Sequence, residues 1–367
     1  MKFYILVVLM TMLGFTTQAQ SFDDKAHQTL KNYLTEFPNQ TQFSVAVLNG
    51  NKTNYYGLVK FSDTINQLDN SASVFQIGSV TKVFTSTLLA QLVLENKVEL
   101  SDSIQYYFSF PLKENKITLE SLSNHSSGLP RLPSNLNLAT ANLKNPYQSY
   151  AEADLDYYLS TEMEFSSGDQ PSYQYSNLGA AILAKALENA TGKTFAELLS
   201  EKIFQPLEMK NSSLDKDSVG GNLVQGLDAS GNPTPVWDMG QFGGAGAILS
   251  TTTDLSRFVN VHFQNAEDAY SLTTLPTYMV NDNLRIGLGW HILQDEQDNN
   301  LYWHNGGTGG YSSSVFMVPE TQKAVIILSN VSAYHPKAPS IDELAFKLLK
   351  SLLPPKRDKS SVLKENE

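Results

Sequence analysis

The sequence predicts an α+β fold: one antiparallel sheet formed by N- and C-terminal segments and flanked by helices, with a mostly helical domain inserted between them. Three observations predict it. Residues 43–50 and 54–59 read as two strands close to the N-terminus. Four more strand-like runs follow one another at 286–292, 301–304, 312–318 and 323–328. Between these groups the apolar spacing is that of helices. Strands at both ends with helices between them suggest a single sheet closed from the two ends of the chain.

Taken in order, residues 21–37 have helical spacing (Leu30, Tyr33, Leu34), and Pro38-Asn39 stops them. The first two strands turn between Asn49-Gly50 and Thr53. Val74 to Gly78 then leads into a helix over 79–96, whose Val80, Phe84, Leu88 and Leu92 recur turn by turn. A middle rich in Pro, Asn and Ser carries helices near 117–124, 152–160, 178–191 and 195–204. From Lys210 to Gly246 the chain is rich in Gly and Asp and is expected to loop over the surface. Gln294 to Asn300 forms a polar hairpin turn between the first two late strands. It is acidic, but it lacks the Gly and the spacing of a calcium loop. A last helix over 340–353 ends at Pro354-Pro355, and residues 355–367 are expected to form a disordered tail. The main domain thus runs over 20–354, its sheet part at about 40–80 and 245–354 and its helical part at about 100–240. No internal repeat is present.

The first residues differ from the rest. Met1-Lys2 supplies a positive start, Phe3 to Phe15 is almost wholly apolar, and Thr17 and Ala19 place small residues before a cut after Ala19. That pattern reads as a signal peptide over 1–19. A membrane anchor is the competing reading, but an apolar run of about 13 residues is short for a span of roughly 20. The expected location is therefore periplasmic or secreted, with no stable membrane insertion once the signal is removed. Cysteine is absent, which excludes disulfides, thiolate chemistry and an acylated lipoprotein cysteine. A net charge of −11 argues against nucleic acid, whose binding needs a basic footprint. The six histidines form no His-Glu-x-x-His or comparable cluster, so no metal site is expected.

Three short motifs carry chemistry. In Ser79-Val80-Thr81-Lys82 the serine and lysine share a helix face, so the amine can take the hydroxyl proton if its pKa is lowered. The same spacing recurs at Ser213…Lys216 and Ser361…Lys364; only the first stands at the mouth of a long apolar helix after a strand. Tyr175-Ser176-Asn177 precedes a helix. It offers a proton-shuttling hydroxyl and an amide, or equally a helix N-cap. His304-Asn305-Gly306-Gly307 ends a strand in glycines, which admit a close ligand or simply make a loose turn.

In that order the three motifs resemble those of the serine β-lactamase and penicillin-binding-protein superfamily. The Tyr form of the middle motif is similar to the class C β-lactamases, the secreted D-Ala-D-Ala carboxypeptidases and related esterases. Further blocks extend the likeness over roughly 40–350, among them Phe75 to Phe84, Ile117 to Pro130, Ile203 to Met209, Gly244 to Leu255 and Gly287-Leu-Gly-Trp. The resemblance implies an acyl-enzyme on Ser79, with Lys82 as its proton partner and Tyr175 as general base or relay. Asn177, His304, Asn305 and Gly306 would touch substrate, and the N–H groups of Ser79 and Gly307 would form the oxyanion hole. His125 is expected to orient a loop. No cofactor is implied, and the partner is a small-molecule or peptide substrate (a peptidoglycan stem peptide, a β-lactam or an ester) met by a monomer.

Two departures bear on the substrate. His304 stands where class C enzymes carry Lys, and Asn305 where Thr is common. His291 occupies the place after the Gly-Leu-Gly-x stretch where carboxypeptidase-like members can use Arg. His304 tilts the expectation toward peptide or ester hydrolysis, with a class C-like β-lactamase as the alternative, while His291 counts against carboxypeptidase specificity. A catalytically silent peptidoglycan- or β-lactam-binding domain is the second alternative. A Ser-His-Asp hydrolase is disfavoured because no Gly-x-Ser-x-Gly elbow occurs.

Overall fold

Nine strands make one antiparallel sheet: β1 (Gln42–Asn49), β2 (Lys52–Phe61), β3 (Thr64–Gln67), β4 (Tyr278–Asn281), β5 (Leu284–Ile286), β6 (His291–Gln294), β7 (Asn300–Gly307), β8 (Ser312–Val318) and β9 (Lys323–Ser329). Their spatial order is β3-β2-β1-β9-β8-β7-β6-β5-β4. The two ends of the chain meet at β1 and β9, in the register Val45↔Ile327. The computed structural model describes residues 22–114, 116–138, 141–142, 144–165, 172–264, 268–295 and 299–353. The expected signal peptide, the tail and residues 296–298 of the hairpin turn lie outside them.

The centre of the sheet, β1, β8 and β9, is buried on both faces, and side-chain alternation sorts its residues between two cores. Phe43, Val45 and Val47 of β1, with Phe316, Val318, Val325 and Ile327, join one core. Helix α1 (22–34) and the last helix cover that face through Leu30, Leu34, Leu344 and Leu348. Ala46, Leu48, Val315, Met317, Ile326 and Leu328 point to the other core, shared with the inserted helices. A strand buried on both faces loses its polar alternation, which is why β8 and β9 read as nearly continuous apolar runs.

The inserted helices are α2 (Thr81–Leu94), α3 (Leu119–Ser123), α4 (Glu152–Tyr157), α5 (Asn177–Thr191), α6 (Phe195–Leu199) and α7 (Gly243–Gly246). They are followed by α8 (Thr252–Val261), α9 (Ala269–Thr274) and α10 (Ser340–Leu352). Helix α2 is buried nearly all round, the condition of a core helix. Ser176 caps α5 by accepting from Gly179 N–H, and Thr251 caps α8 by accepting from Asp254 N–H.

The structure amends several expectations. Phe75–Gln76 pairs with Leu249–Ser250 in a separate two-stranded ladder rather than in the main sheet. The sheet's return begins at β4, because the preceding segment is taken up by α8 and α9, whose capping residues were present in the sequence. The expected strand over 286–292 is broken between β5 and β6. There Leu288 N–H donates to Thr273 and Gly289 N–H to Ser123, so the chain bonds to helical segments rather than to a neighbouring strand. Residues 210–246 are not merely a surface loop, since Trp237, Met239 and Phe242 are buried in the main core.

Candidate active site

Ser79 sits in a short 3₁₀ turn, Gly78–Val80, that delivers the chain into α2. The turn is pinned at its start: Ile77 N–H donates to Ile248 O at 2.9 Å, and Ser313 Oγ donates to Ile77 O at 2.7 Å. It packs backbone to backbone on the end of β7. A Cβ on Gly306 would lie 2.0 Å from Ile77 O and 2.9 Å from Ser79 N, and one on Gly78 would lie 2.6 Å from Gly307 N. Only glycine fits at these two places, and Gly78 also has a positive φ of 51°. The backbone nitrogens of Ser79 and Gly307 thereby flank one junction beside the partly exposed Ser79 side chain.

One turn into α2, Lys82 is 2% exposed. Its Nζ lies 3.0 Å from Ser79 Oγ and 2.8 Å from Ala245 O, to which it donates. Two neighbouring bonds hold that carbonyl segment: Thr85 Oγ1 donates to Gly244 O at 2.7 Å, and Ile248 N–H donates to Thr81 Oγ1 at 3.2 Å. Burial holds the Lys82 pKa well below the usual lysine range, and the Arg131 charge adds to the effect. A neutral amine can give one N–H to Ala245 and keep its lone pair for the Ser79 proton.

Tyr175 is clamped by the segment that follows α3. His125 accepts from Gln174 N–H through its carbonyl at 2.8 Å, and from Ser176 N–H through Nδ1 at 3.3 Å, so it is bonded on both sides of Tyr175. The His125 and Tyr175 ring centroids are 4.5 Å apart. Ser176 Oγ donates to Pro130 O at 2.6 Å, and Arg131 O accepts the first N–H groups of α5, from Asn177 and Leu178. This stapling sets the Arg131 guanidinium over the Tyr175 ring, 5.2 Å from its centroid, while Lys82 Nζ is 5.0 Å from it. Burial pushes the Tyr175 hydroxyl up to about 12, against a hydrogen bond with Ser79 that works the other way. At neutral pH it is a phenol that can donate or relay a proton, not a phenolate.

The structure brings Ser79, Lys82, Tyr175, Asn177, Asn305, Gly306 and Gly307 to one place. His304 is set apart. It is fully buried, its Nδ1 donates to Asn305 O at 2.7 Å, and its ring centroid lies 6.2 Å from Tyr175 and 5.3 Å from His291. Its side chain therefore has no surface to offer a substrate, which corrects the expectation of a direct contact. Burial keeps His304 and His125 well below the usual histidine pKa and brings His291 down to about 4. Asn305 faces α10, where its Nδ2 donates to Asp342 at 2.6 Å. The Oδ1 of Asn177 is buried with no partner among the described residues.

Around these groups is a cleft of about 1000 Å³, walled by Tyr147, Trp237, Trp303 and Tyr334, with Arg131 and Asp342 among its lining residues. Sequence reasoning missed Arg131, Asp342 and the Ala245 carbonyl. Arg131 could have been flagged because it directly follows the Ser-Gly-Leu-Pro block. The carbonyl could not, since its role depends on where α7 folds. Among the described residues no group of side chains could hold a metal ion, and no helix is long and apolar enough to cross a membrane.

Comparison with known proteins places this geometry. A family model described as Beta-lactamase matches residues 30–350. The fungal protein Unguisins hydrolase ungD' of Aspergillus campestris is 27% identical over 346 residues, covering 85% of this chain; the match spans only 62% of the fungal protein's length. The D-alanyl-D-alanine-carboxypeptidase/endopeptidase AmpH of Escherichia coli K12 is also 27% identical, over 307 residues that cover 76% of this chain and 77% of AmpH. Among solved structures, the β-lactamase/D-alanine carboxypeptidase from Pseudomonas syringae superposes with a TM-score of 0.74 at 19% identity. That match covers 91% of this chain and all of the other, and it speaks to the fold alone.

Proposed function

The chain belongs to the Beta-lactamase family, within the serine β-lactamase and penicillin-binding-protein superfamily, and from that premise we propose that it is an exported serine hydrolase working through an acyl-enzyme on Ser79. Its substrate is a peptide amide of the D-Ala-D-Ala carboxypeptidase kind or an ester. The observation that carries this reading is the buried Lys82 amine 3.0 Å from the Ser79 hydroxyl, its pKa lowered by burial.

In the proposed reaction Ser79 Oγ attacks the scissile carbonyl while its proton passes to Lys82 Nζ. Negative charge gathers on the carbonyl oxygen, facing the N–H groups of Ser79 and Gly307; a donor so placed stabilises the transition state by about 3 kcal/mol. Tyr175, a neutral phenol hydrogen-bonded to Ser79, hands its proton to the departing amine or alcohol and takes in return the proton that Lys82 received, so that neither group is left charged. Water then attacks the acyl-enzyme by the reverse route. Asn177, whose carbonyl oxygen is unpartnered, accepts from an N–H on the acyl side.

Of these substrates the wall that holds Asn305 favours the ester. A β-lactam and a peptide ending in D-Ala-D-Ala both present a carboxylate beside the scissile amide. That wall carries the Asp342 side chain and, behind it, a neutral His304, with no cation among the described residues. Export, with cleavage after Ala19, rests on the N-terminal pattern and is checked by the mass of the mature chain.

The test is intact-mass and peptide mapping after incubation with a penicillin and, separately, with an activated ester, alongside Ser79→Ala. A covalent adduct on Ser79 and loss of ester turnover in a folded Ser79→Ala are expected. Full activity in that variant would remove the mechanism. Fast release of the penicillin adduct would turn the assignment to a β-lactamase.

A further inference from the structure

We propose that Arg131 is the anion-recognising residue of the cleft, so that the preferred acyl donor carries a carboxylate on the side walled by Asn177; the proposal rests on the acyl-enzyme reading above. Four observations carry it. Arg131 lines the cleft, and its guanidinium has no hydrogen-bond or carboxylate partner among the described residues. Its backbone is held in place, and its exposed side chain lies over the Tyr175 ring. The backbone on either side is stapled to Ser176 and to the start of α5, and the guanidinium stacks 5.2 Å from the Tyr175 centroid. Because Tyr175 is hydrogen-bonded to Ser79, that charge stands close to any acyl group attached there.

Arg131 also has no competitor. Lys82 lies beneath the surface, committed to Ser79 and Ala245, and His291 is the only imidazole among the lining residues. The one acid among the lining residues, Asp342, belongs with Asn305 on a different wall, where burial pushes its carboxyl pKa up. An anion is therefore attracted to the Asn177 side, where the cation stands, and finds none on the Asn305 side. The guanidinium is exposed and unpaired among the described residues, so a carboxylate reaching it can make a charge-assisted, bidentate contact.

The proposal is tested with two matched substrates, mono-p-nitrophenyl adipate and its methyl-capped ester, on the wild type and on Arg131→Gln, Arg131→Lys and Arg131→Glu. The wild type should favour the free carboxylate by about tenfold or more in kcat/KM, as expected for a hydrogen bond to a charged group. Arg131→Gln should remove that ratio, Arg131→Lys should keep part of it, and Arg131→Glu should invert it. A wild-type ratio near one, or a ratio unchanged in Arg131→Glu, overturns the inference. If the wild type turns over neither ester and Ser79 takes no adduct, it is the hydrolase reading that has failed. Calorimetric binding of adipate monoamide to Ser79→Ala and to Ser79→Ala/Arg131→Glu then decides the anion site alone. A drop of about tenfold or more in the double variant supports it, and equal affinities overturn it.

Discussion

Acid should destabilise this protein through its buried histidines, and His262 is the cleanest place to measure it because it lies outside the cleft. The ring is 8% exposed and boxed by Phe258, Tyr270 and Trp290, with centroids 5.2, 5.4 and 5.6 Å away. Its Nδ1 donates to Phe258 O at 3.0 Å, and its Nε2 is buried without a partner among the described residues. Burial brings its pKa down to about 4; the Phe258 carbonyl and the Asp268 carboxylate oppose the shift and lose. The sign follows from linkage. The unfolded chain takes up the proton near pH 6.5 while the folded chain still refuses it, so stability present above that pH is lost as pH falls toward 4. Between pH 7 and 5.5 the unfolded imidazole goes from about one-quarter to about nine-tenths protonated, which costs the folded state about 1.2 kcal/mol. His262→Phe keeps an aromatic ring in the box and removes the proton site. Urea unfolding of both proteins at both pH values should show the variant losing about 1.2 kcal/mol less on acidification. Any packing cost of the larger ring is present at both pH values and cancels. Equal losses at equal denaturant slopes would refute the claim that burial, rather than a hydrated environment, sets this group.

Three further outcomes concern the site. Lys82→Met should lower the acylation rate by about a hundredfold or more, as for the loss of a positioned base, yet should not lower the melting temperature, because Met fills the space without an amine to desolvate; stopped-flow ester cleavage and a thermal melt read the two separately. Gly306→Ala should lose both activity and stability, since the new Cβ meets Ile77 O at 2.0 Å and must displace the turn that carries Ser79; a urea midpoint equal to the wild type would contradict this. His125→Ala should lower kcat by about tenfold or more through a loosened Tyr175, and His125→Asn should recover part of it, because Asn tolerates the positive φ of 63° at that position and can still accept from Ser176 N–H.

Periodicity made most of the fold legible, and it failed where tertiary bonding decided the outcome. Helices α1, α2, α5 and α10 and the strands from β1 to β2 and β7 to β9 follow from apolar spacing alone. The strand expected over 286–292 does not, because Gly287 to Trp290 exchange ladder bonds for bonds to α3 and α9. Helix α8 was marked by Thr251 and Asp254 but has few apolar residues to announce it. In the site, residue identities and order singled out Ser79, Lys82, Tyr175 and Asn177, which the fold brings together at one cleft. The burial of His304 was not readable, since strand alternation says which face a residue takes but not what closes over it. Arg131 and Asp342 became visible only when the fold set them in the same cleft.

The electrostatics of the cleft follow more from what is left out than from what is put in. No carboxylate stands among the groups that shift Lys82; burial and Arg131 act in the same direction, and nothing opposes them. A neighbouring acid would pair with the amine, restore its proton and leave Ser79 with a donor where it needs an acceptor. The one acid lining the cleft, Asp342, is engaged instead by Asn305. The same omission keeps His125 and His304 uncharged beside Tyr175, since burial is the largest cause of their lowered pKa values and no carboxylate is among the groups that act on them. Each of these groups forgoes hydration without gaining a counter-ion, a cost to the folded state that hydrophobic burial elsewhere offsets. In the proposed reaction that cost is what readies Ser79: burial lowers the Lys82 pKa toward an amine that accepts a proton and keeps Tyr175 a phenol that can give one.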